Sequence, residues 1–282
     1  MNNTVRSLVL DRDNVYTQLE IQYEKELGLA WYYMHPKPRP ICTLTLIGEM
    51  QHWFSELQSS PRHDDLRYIV LASDVPGVFN LGGDLELFIS LIHTRDRKGL
   101  LHYAKSCIDT LALNHNGIER GISTISLVQG DALGGGLEYA VSSDILIAER
   151  SAKMGFPEIL FNLFPGMGAY SLLSRKIGNR EAEKLILSGR IYSAEELFDL
   201  GVVDVLAEDG HGEKEVYEYI SREEKARNGI TAFRKARKCT HPLSYEELKD
   251  VTDIWVDAAL KLNNRDLRMM ERLVTRQSAK SA

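Results

Sequence analysis

Two glutamates lie at positions where a carboxyl group could donate or accept a proton. Glu138 comes two residues after a run of three glycines, in QGDALGGGLEYA (129–140), and its neighbours are apolar. Glu158 is the only charged residue between Met154 and Ser174. Each also fits the first turn of a helix, where a glutamate is common because the helix dipole favours a carboxylate. If both face one cleft, they form a general acid/base couple.

Two glycine-containing loops accompany these acids. FNLGGD (79–84) and DALGGG (131–136) each follow an apolar run and precede a helical pattern. Amide N–H groups at the start of a helix have no partner inside it, and glycine lets a ligand approach them. Two such donors converging on one oxygen would form an oxyanion hole, or they would hold a phosphate. Neither loop has a nucleotide-binding glycine motif, and close backbone packing is the alternative explanation.

Other chemistry has weaker support in the sequence. The eight histidines show no ligand spacing, so we expect no metal and no cofactor. There is no G-x-S-x-G motif for a serine nucleophile. The basic segment RNGITAFRKARK (227–238) fits a solvated helix face better than a phosphate site, with docking of an acidic carrier as the alternative.

Composition sets broad limits on function. The 282 residues are 44% hydrophobic with a net charge of −6, which suits a folded protein and argues against nucleic-acid binding. Three widely spaced cysteines form no disulfide framework. We find no signal-peptide pattern and no apolar stretch long enough to insert into a membrane. These features predict a cytoplasmic protein.

The order of apolar patterns predicts an α/β fold. Short apolar runs at 66–73, 121–130 and 144–149 are typical of buried strands, and helical patterns lie between them. Beyond residue 212 the pattern is helical, with breaks near Asn228 and at Pro242. We expect a core over residues 1–205 that carries the site, and a helical region over 206–282.

Four segments together resemble the crotonase (enoyl-CoA hydratase/isomerase) superfamily. They are VFNLGGDLELF (78–88), VQGDALGGGLEYAVSSDILIAE (128–149), MGFPEILFNLFPGMGAYSLLSRKIG (154–178) and KLILSGRIYSAEELFDLGVVDVL (184–206). The resemblance implies a crotonase-like spiral of ββα repeats with a helical C-terminal region. It also implies a homotrimer or a dimer of trimers.

The same resemblance assigns roles to particular residues. It implies that the N–H groups of Leu81 and Gly135 form an oxyanion hole for a thioester carbonyl, and that Glu138 and Glu158 flank the acyl carbons. Gly82 and Gly134 are further substrate-binding positions. A long acyl tail also needs an apolar pocket, for which Met167, Trp255 and Leu273 are candidates; ordinary core packing is the alternative for all three.

Four shorter stretches are similar to a narrower group, the diffusible signal factor synthases. They are FNLGGDL (79–85), LFPGMGAYS (163–171), DIWVDAAL (253–260) and LRMMERLV (267–274). This implies dehydration of a 3-hydroxyacyl chain on acyl carrier protein, followed by thioester hydrolysis that releases a cis-2-unsaturated quorum-sensing fatty acid. An ordinary enoyl-CoA hydratase/isomerase acting on CoA esters is the alternative. A second alternative is an adaptor that binds a sensor or regulatory protein of the signal pathway.

Overall fold

The computed structural model describes residues 9–10 and 16–279, which form an α/β fold. The strands are β1 (Val9–Leu10), β2 (Leu19–Glu24), β3 (Leu29–Met34), β4 (Tyr68–Ser73), β5 (Val78–Asn80), β6 (Ser123–Val128), β7 (Asp131–Leu133), β8 (Ile145–Glu149), β9 (Lys153–Gly155), β10 (Ile191–Ser193) and β11 (Val205–Ala207). The helices are α1 (Leu44–Ser59), α2 (Leu85–His93), α3 (Arg97–His115), α4 (Gly135–Ser142), α5 (Ala169–Ile177), α6 (Asn179–Ser188), α7 (Ala194–Asp199), α8 (Gly212–Glu224), α9 (Arg227–Thr240), α10 (Tyr245–Ala259) and α11 (Asn264–Ala279).

The strands form two sheets. The larger has the order β1-β2-β3-β4-β6-β8-β11; its first three strands are antiparallel and the later pairs are parallel. The smaller has the order β10-β9-β7-β5, and β10 pairs antiparallel with β9. The three predicted apolar runs are β4, β6 and β8 of the larger sheet, which confirms the α/β class.

The small sheet is absent from the sequence-based expectation. Each of its strands has only three residues. A stretch this short shows no alternation that can be told from a loop, because recognising a strand needs about four to eight patterned residues. This sheet matters for function because β5 and β7 lead into the two glycine-containing loops.

The larger sheet is buried on both faces. Side chains such as Trp31, Val70 and Leu127 form one apolar cluster with Val216 and Ile220 of α8. The opposite face carries the main core, which includes α1, α3 and α4. On α1 one apolar face is buried, and Thr43 caps the helix by accepting the Leu46 N–H.

The C-terminal helices pack onto the elements around the glycine loops. Helix α10 lies against α3, and α11 lies against α2 and the short 3-10 turn Glu158–Phe161. Helix α8 packs on β6 and β8, so this part of the 206–282 region contributes to the sheet core. The break expected near Asn228 falls between α8 and α9, at residues 225–226.

Candidate active site

The glycine run before Glu138 is required by close contacts. Gly134 has φ +52, and a Cβ built there would lie 2.3 Å from Oε1 of Glu158. A Cβ at Gly136 would lie 2.2 Å from the carbonyl oxygen of Asn80 at the end of β5. The glycines therefore let α4 start directly against β5 and against the second glutamate.

Glu138 is buried in the first turn of α4 and is held by backbone amides. Its side chain is 2% exposed, and Oε1 accepts the N–H groups of Met167 at 2.7 Å and Ala169 at 3.0 Å. Because Gly168 precedes α5 without a side chain to cap it, Glu138 supplies the cap. Burial raises the pKa of Glu138 to about 7, and the two amide hydrogen bonds oppose that rise.

Glu158 lies opposite, in the 3-10 turn that follows Pro157. The residue as a whole is partly exposed, but Oε2 is buried and has no hydrogen-bond partner among residues 9–10 and 16–279. Burial, together with the nearby charge of Glu138, raises the pKa of Glu158 to about 8. An unpartnered carboxyl oxygen of this kind is available to a bound ligand.

Both glutamates line one apolar cavity with a volume of about 50 Å³. The complete lining consists of Gly83, Leu85, Phe88, Tyr103, Ala104, Gly135, Glu138, Glu158, Phe161, Leu163, Gly166, Met167 and Trp255.

Two of the three candidates for the acyl pocket, Met167 and Trp255, line this cavity. The Trp255 ring lies edge-on to Phe88, with ring centroids 5.1 Å apart. Leu273 is not in the lining and packs instead against the main core as a partly buried residue. Gly134 is outside the lining too, but it contacts Glu158 directly.

The loop before α2 differs from expectation at Leu81. Its N–H donates to the carbonyl oxygen of Pro40 at 2.8 Å, so it is not open to a ligand. The N–H of Gly82 donates to Oδ1 of Asn80, also at 2.8 Å. The resemblance could not reveal the bond to Pro40, because that residue belongs to a loop distant in sequence.

The remaining amides of this loop single out Gly83. The N–H of Asp84 donates to the Tyr103 hydroxyl at 3.2 Å, whereas Gly83 N–H has no hydrogen-bond partner within the described chain. Gly135 is the first residue of α4, and its N–H has no side-chain cap. A Cβ built on Gly135 would lie 3.6 Å from the Gly83 nitrogen. Two open amides thus lie close together at the cavity wall.

Sequence reasoning did not single out Gly83, Tyr103 or Phe88 for the site. Gly83 had a signal, since it lies in a quoted glycine motif one residue beyond Gly82. Tyr103 and Phe88 had none, because apolar and aromatic positions on α2 and α3 are typical of any core.

The basic segment of α9 contributes no residue to the cavity lining, and three of its charged side chains bind other parts of the protein. Arg234 pairs with Glu223 at 2.6 Å, Arg237 pairs with Asp144 at 2.9 Å, and Lys238 donates to the His115 carbonyl. These contacts favour a structural role for the segment.

Among the described residues, no group of histidine, cysteine, aspartate or glutamate side chains is arranged to bind a metal. The helices in residues 16–279 include none with the length and apolar character needed to cross a bilayer.

Comparison with known proteins identifies the family. Residues 34–249 match the sequence model of the enoyl-CoA hydratase/isomerase family. The chain belongs to the enoyl-CoA hydratase/isomerase family. Its sequence is 31% identical to a probable mitochondrial enoyl-CoA hydratase 2 from Arabidopsis thaliana, over 71% of this chain and 64% of that protein. It is 34% identical to the mitochondrial methylglutaconyl-CoA hydratase of Mus musculus, over 52% of this chain and 45% of that protein.

The matched regions thus span about half to two thirds of the length of these two relatives. Among solved structures, human mitochondrial delta3-delta2-enoyl-CoA isomerase superposes with a TM-score of 0.75, at 18% identity over 94% of this chain and all of that one. This similarity shows that the fold is that of the hydratase/isomerase family, with mixed sheets and a helical C-terminal region.

Proposed function

We propose that this chain adds water reversibly to the double bond of a 2-enoyl thioester of CoA. The observation that carries the proposal is the pair Glu138 and Glu158, which line one cavity with pKa values raised to about 7 and about 8. A general acid and a general base are most effective when their pKa values lie near the working pH.

The two glutamates have different environments, which assigns their roles. Glu138 accepts two N–H groups and is the better stabilised as a carboxylate, so it acts as the base. Glu158 has an oxygen without a partner and the higher pKa, so it holds a proton and acts as the acid.

In the hydration direction, Glu138 takes a proton from water as the water oxygen bonds to C3. Glu158 gives its proton to C2, and the electron pair of the double bond forms that C–H bond. Dehydration runs the same steps in reverse, so Glu158 removes the proton from C2 and Glu138 protonates the departing hydroxyl.

The charge that develops on the thioester oxygen needs hydrogen-bond donors. The N–H groups of Gly83 and Gly135 fit this need because both are open and both residues line the cavity. Gly83 replaces Leu81 as the first donor in this proposal, since the Leu81 N–H is bound to Pro40. A single donor of this kind is worth about 10²–10³ in kcat.

An acyl tail would bind along the apolar wall formed by Phe88, Phe161, Met167 and Trp255.

The same wall favours a second candidate, the diffusible signal factor synthase. In that reaction the dehydrated 3-hydroxyacyl chain, carried by acyl carrier protein, is released as a free acid. Release requires a water that attacks the thioester carbonyl held by Gly83 and Gly135 while a glutamate takes its proton. The C–S bond then breaks, and the carrier thiol leaves with that proton. A homotrimer, a carrier-protein substrate and a sensor partner remain predictions, and light scattering tests the first.

The deciding experiment supplies 3-hydroxydodecanoyl thioesters of CoA and of acyl carrier protein, together with crotonyl-CoA, and identifies products by mass spectrometry. The wild type is compared with Glu138→Gln, Glu158→Gln and a control, Glu271→Gln, whose side chain is exposed on α11.

Interconversion of hydroxyacyl-CoA and enoyl-CoA that both site variants abolish, and the control keeps, supports the hydratase. A free unsaturated acid made from the carrier-protein substrate would establish the synthase instead. No turnover of any thioester would contradict both reactions and favour the adaptor.

A further inference from the structure

Helix α11 contacts the proposed oxyanion donor loop through the buried side-chain amide of Gln277. Gln277 is 6% exposed, and its Nε2 donates to the Leu81 carbonyl oxygen at 3.0 Å and to the Gly83 carbonyl oxygen at 3.4 Å. Gln277 lies 196 residues after Leu81 and 194 residues after Gly83, so these bonds join distant parts of the sequence.

The peptide groups on either side of the Gly82–Gly83 peptide are held at both ends. In the Leu81–Gly82 peptide, Gln277 binds the carbonyl and Asn80 binds the N–H. In the Gly83–Asp84 peptide, Gln277 binds the carbonyl and the Tyr103 hydroxyl binds the N–H.

The central Gly82–Gly83 peptide is held at its carbonyl only. The Cys42 N–H donates to the Gly82 carbonyl oxygen at 2.8 Å. Its other polar group, the Gly83 N–H, forms no hydrogen bond with any residue of the described chain. Among the backbone polar groups of residues 81–84, the Gly83 N–H is therefore the one that no hydrogen bond within the described chain fixes.

We propose that Gln277 is a positioning residue that orients the Gly83 N–H toward the substrate oxygen. The inference rests on the proposed function, since it concerns the same oxyanion hole. Glycine has little conformational preference of its own, so the direction of this N–H depends on how the flanking peptides are held. An oxyanion hole is effective only when its donors are oriented before the reaction begins.

The test compares Gln277→Ala and Gln277→Leu with Ser278→Ala. Ser278 is the neighbouring exposed residue, and its hydroxyl donates only within α11, to Val274. Leucine keeps most of the glutamine volume and removes the donor. Three quantities are measured: kcat and KM for crotonyl-CoA, the absorbance shift of bound 2,4-hexadienoyl-CoA, and amide hydrogen exchange over residues 81–84.

Both Gln277 variants should lower kcat about tenfold or more while KM changes less than threefold, because the donor acts mainly on the transition state. The red shift of the bound dienoyl thioester should shrink, since it reports polarisation of the carbonyl. Amide exchange at Gly82 and Asp84 should become faster, and Ser278→Ala should match the wild type in all three quantities.

Wild-type kcat and a full red shift in Gln277→Leu would overturn the proposal and leave Gln277 as a packing residue. A wild type that neither binds the dienoyl thioester nor hydrates crotonyl-CoA would instead refute the proposed function. Amide hydrogen exchange tests separately whether Gln277 holds the loop. Unchanged exchange over 81–84 in both variants would show that it does not.

Discussion

At the scale of single residues, the site depends on two carboxyl groups whose environments separate their roles. Two amide N–H groups bind Glu138, whereas Oε2 of Glu158 has no partner in the described structure. Burial raises both pKa values into the neutral range, which makes the roles of base and acid available at the same pH.

The activity should therefore have a pH optimum between about 7 and 8. Below this range Glu138 becomes protonated and is lost as a base, and above it Glu158 loses the proton it must donate. Glu158→Gln should remove the alkaline limb and lower kcat about 10²–10⁴-fold. Steady-state rates with crotonyl-CoA from pH 5 to 10 check this; an alkaline limb that persists in the variant would contradict the assignment.

The same pKa shift predicts a stability cost for the native glutamate. The folded-state pKa of Glu158 is about 8 against an ordinary value of 4.5, so the unfolded chain loses its proton first. Stability therefore falls as pH rises through this window. Glu158→Gln should be more stable than wild type by about 1 to 3 kcal/mol at pH 8 and equal to it at pH 4.

Urea unfolding at both pH values measures this difference, with Glu271→Gln on the exposed face of α11 as the control. A Glu158→Gln gain that is the same at pH 4 and pH 8 would show that ionisation of Glu158 is not its cause.

At the scale of elements, the site lies at the loops that connect β5 to α2 and β7 to α4. Gly134 makes the second connection with a left-handed φ and leaves room for Glu158. Glu138 in turn caps α5, so the group proposed as the base also fixes the start of the next helix.

Gly134→Ala should reduce both activity and stability, and Gly210→Ala separates the causes. Both glycines have positive φ, but a Cβ at Gly210 meets open space while one at Gly134 meets Glu158. Gly210→Ala should cost about 1 kcal/mol with normal kcat, since only backbone strain is added. Gly134→Ala should lower kcat by at least tenfold as well. Equal kcat values in the two variants would contradict a contact-based role for Gly134.

Much of this arrangement is readable from the sequence, because the main strands and helices carry their own patterns. The apolar runs of β4, β6 and β8, and the capping box between Ser193 and Glu196 at α7, are local signals. The hydrogen bond from the Leu81 N–H to Pro40 is not local. It depends on how two distant loops meet, so sequence reasoning placed the first donor at Leu81 and could not foresee that its N–H is occupied.

At the scale of the whole molecule, buried polar contacts tie the outer helices to the larger sheet. Arg234 of α9 donates to Glu223 of α8 at 2.6 and 2.7 Å, and to the Ser123 hydroxyl at the start of β6 at 2.6 Å. Arg234 and Glu223 are both largely buried, which distinguishes this pair from surface ion pairs of small effect.

Arg234→Met should destabilise the protein by about 3 kcal/mol or more, because it leaves Glu223 buried without its partner. Lys235→Met, at the exposed neighbouring position, should have an effect within about 0.5 kcal/mol. Thermal and urea unfolding measure both. The kcat of folded Arg234→Met should stay normal, since α9 is remote from the cavity; a selective loss of activity with carrier-protein substrates would instead revive the docking role of the basic segment.

The position of Trp255 has a practical consequence. The chain has three tryptophans; Trp31 and Trp53 are fully buried in the packed core, whereas Trp255 lies in the cavity wall beside Phe88. An alkyl chain bound along this wall would contact the Trp255 indole and leave the other two unchanged. Intrinsic fluorescence should therefore report occupancy without a label, so that candidate acyl chains can be ranked by titration before any product assay exists.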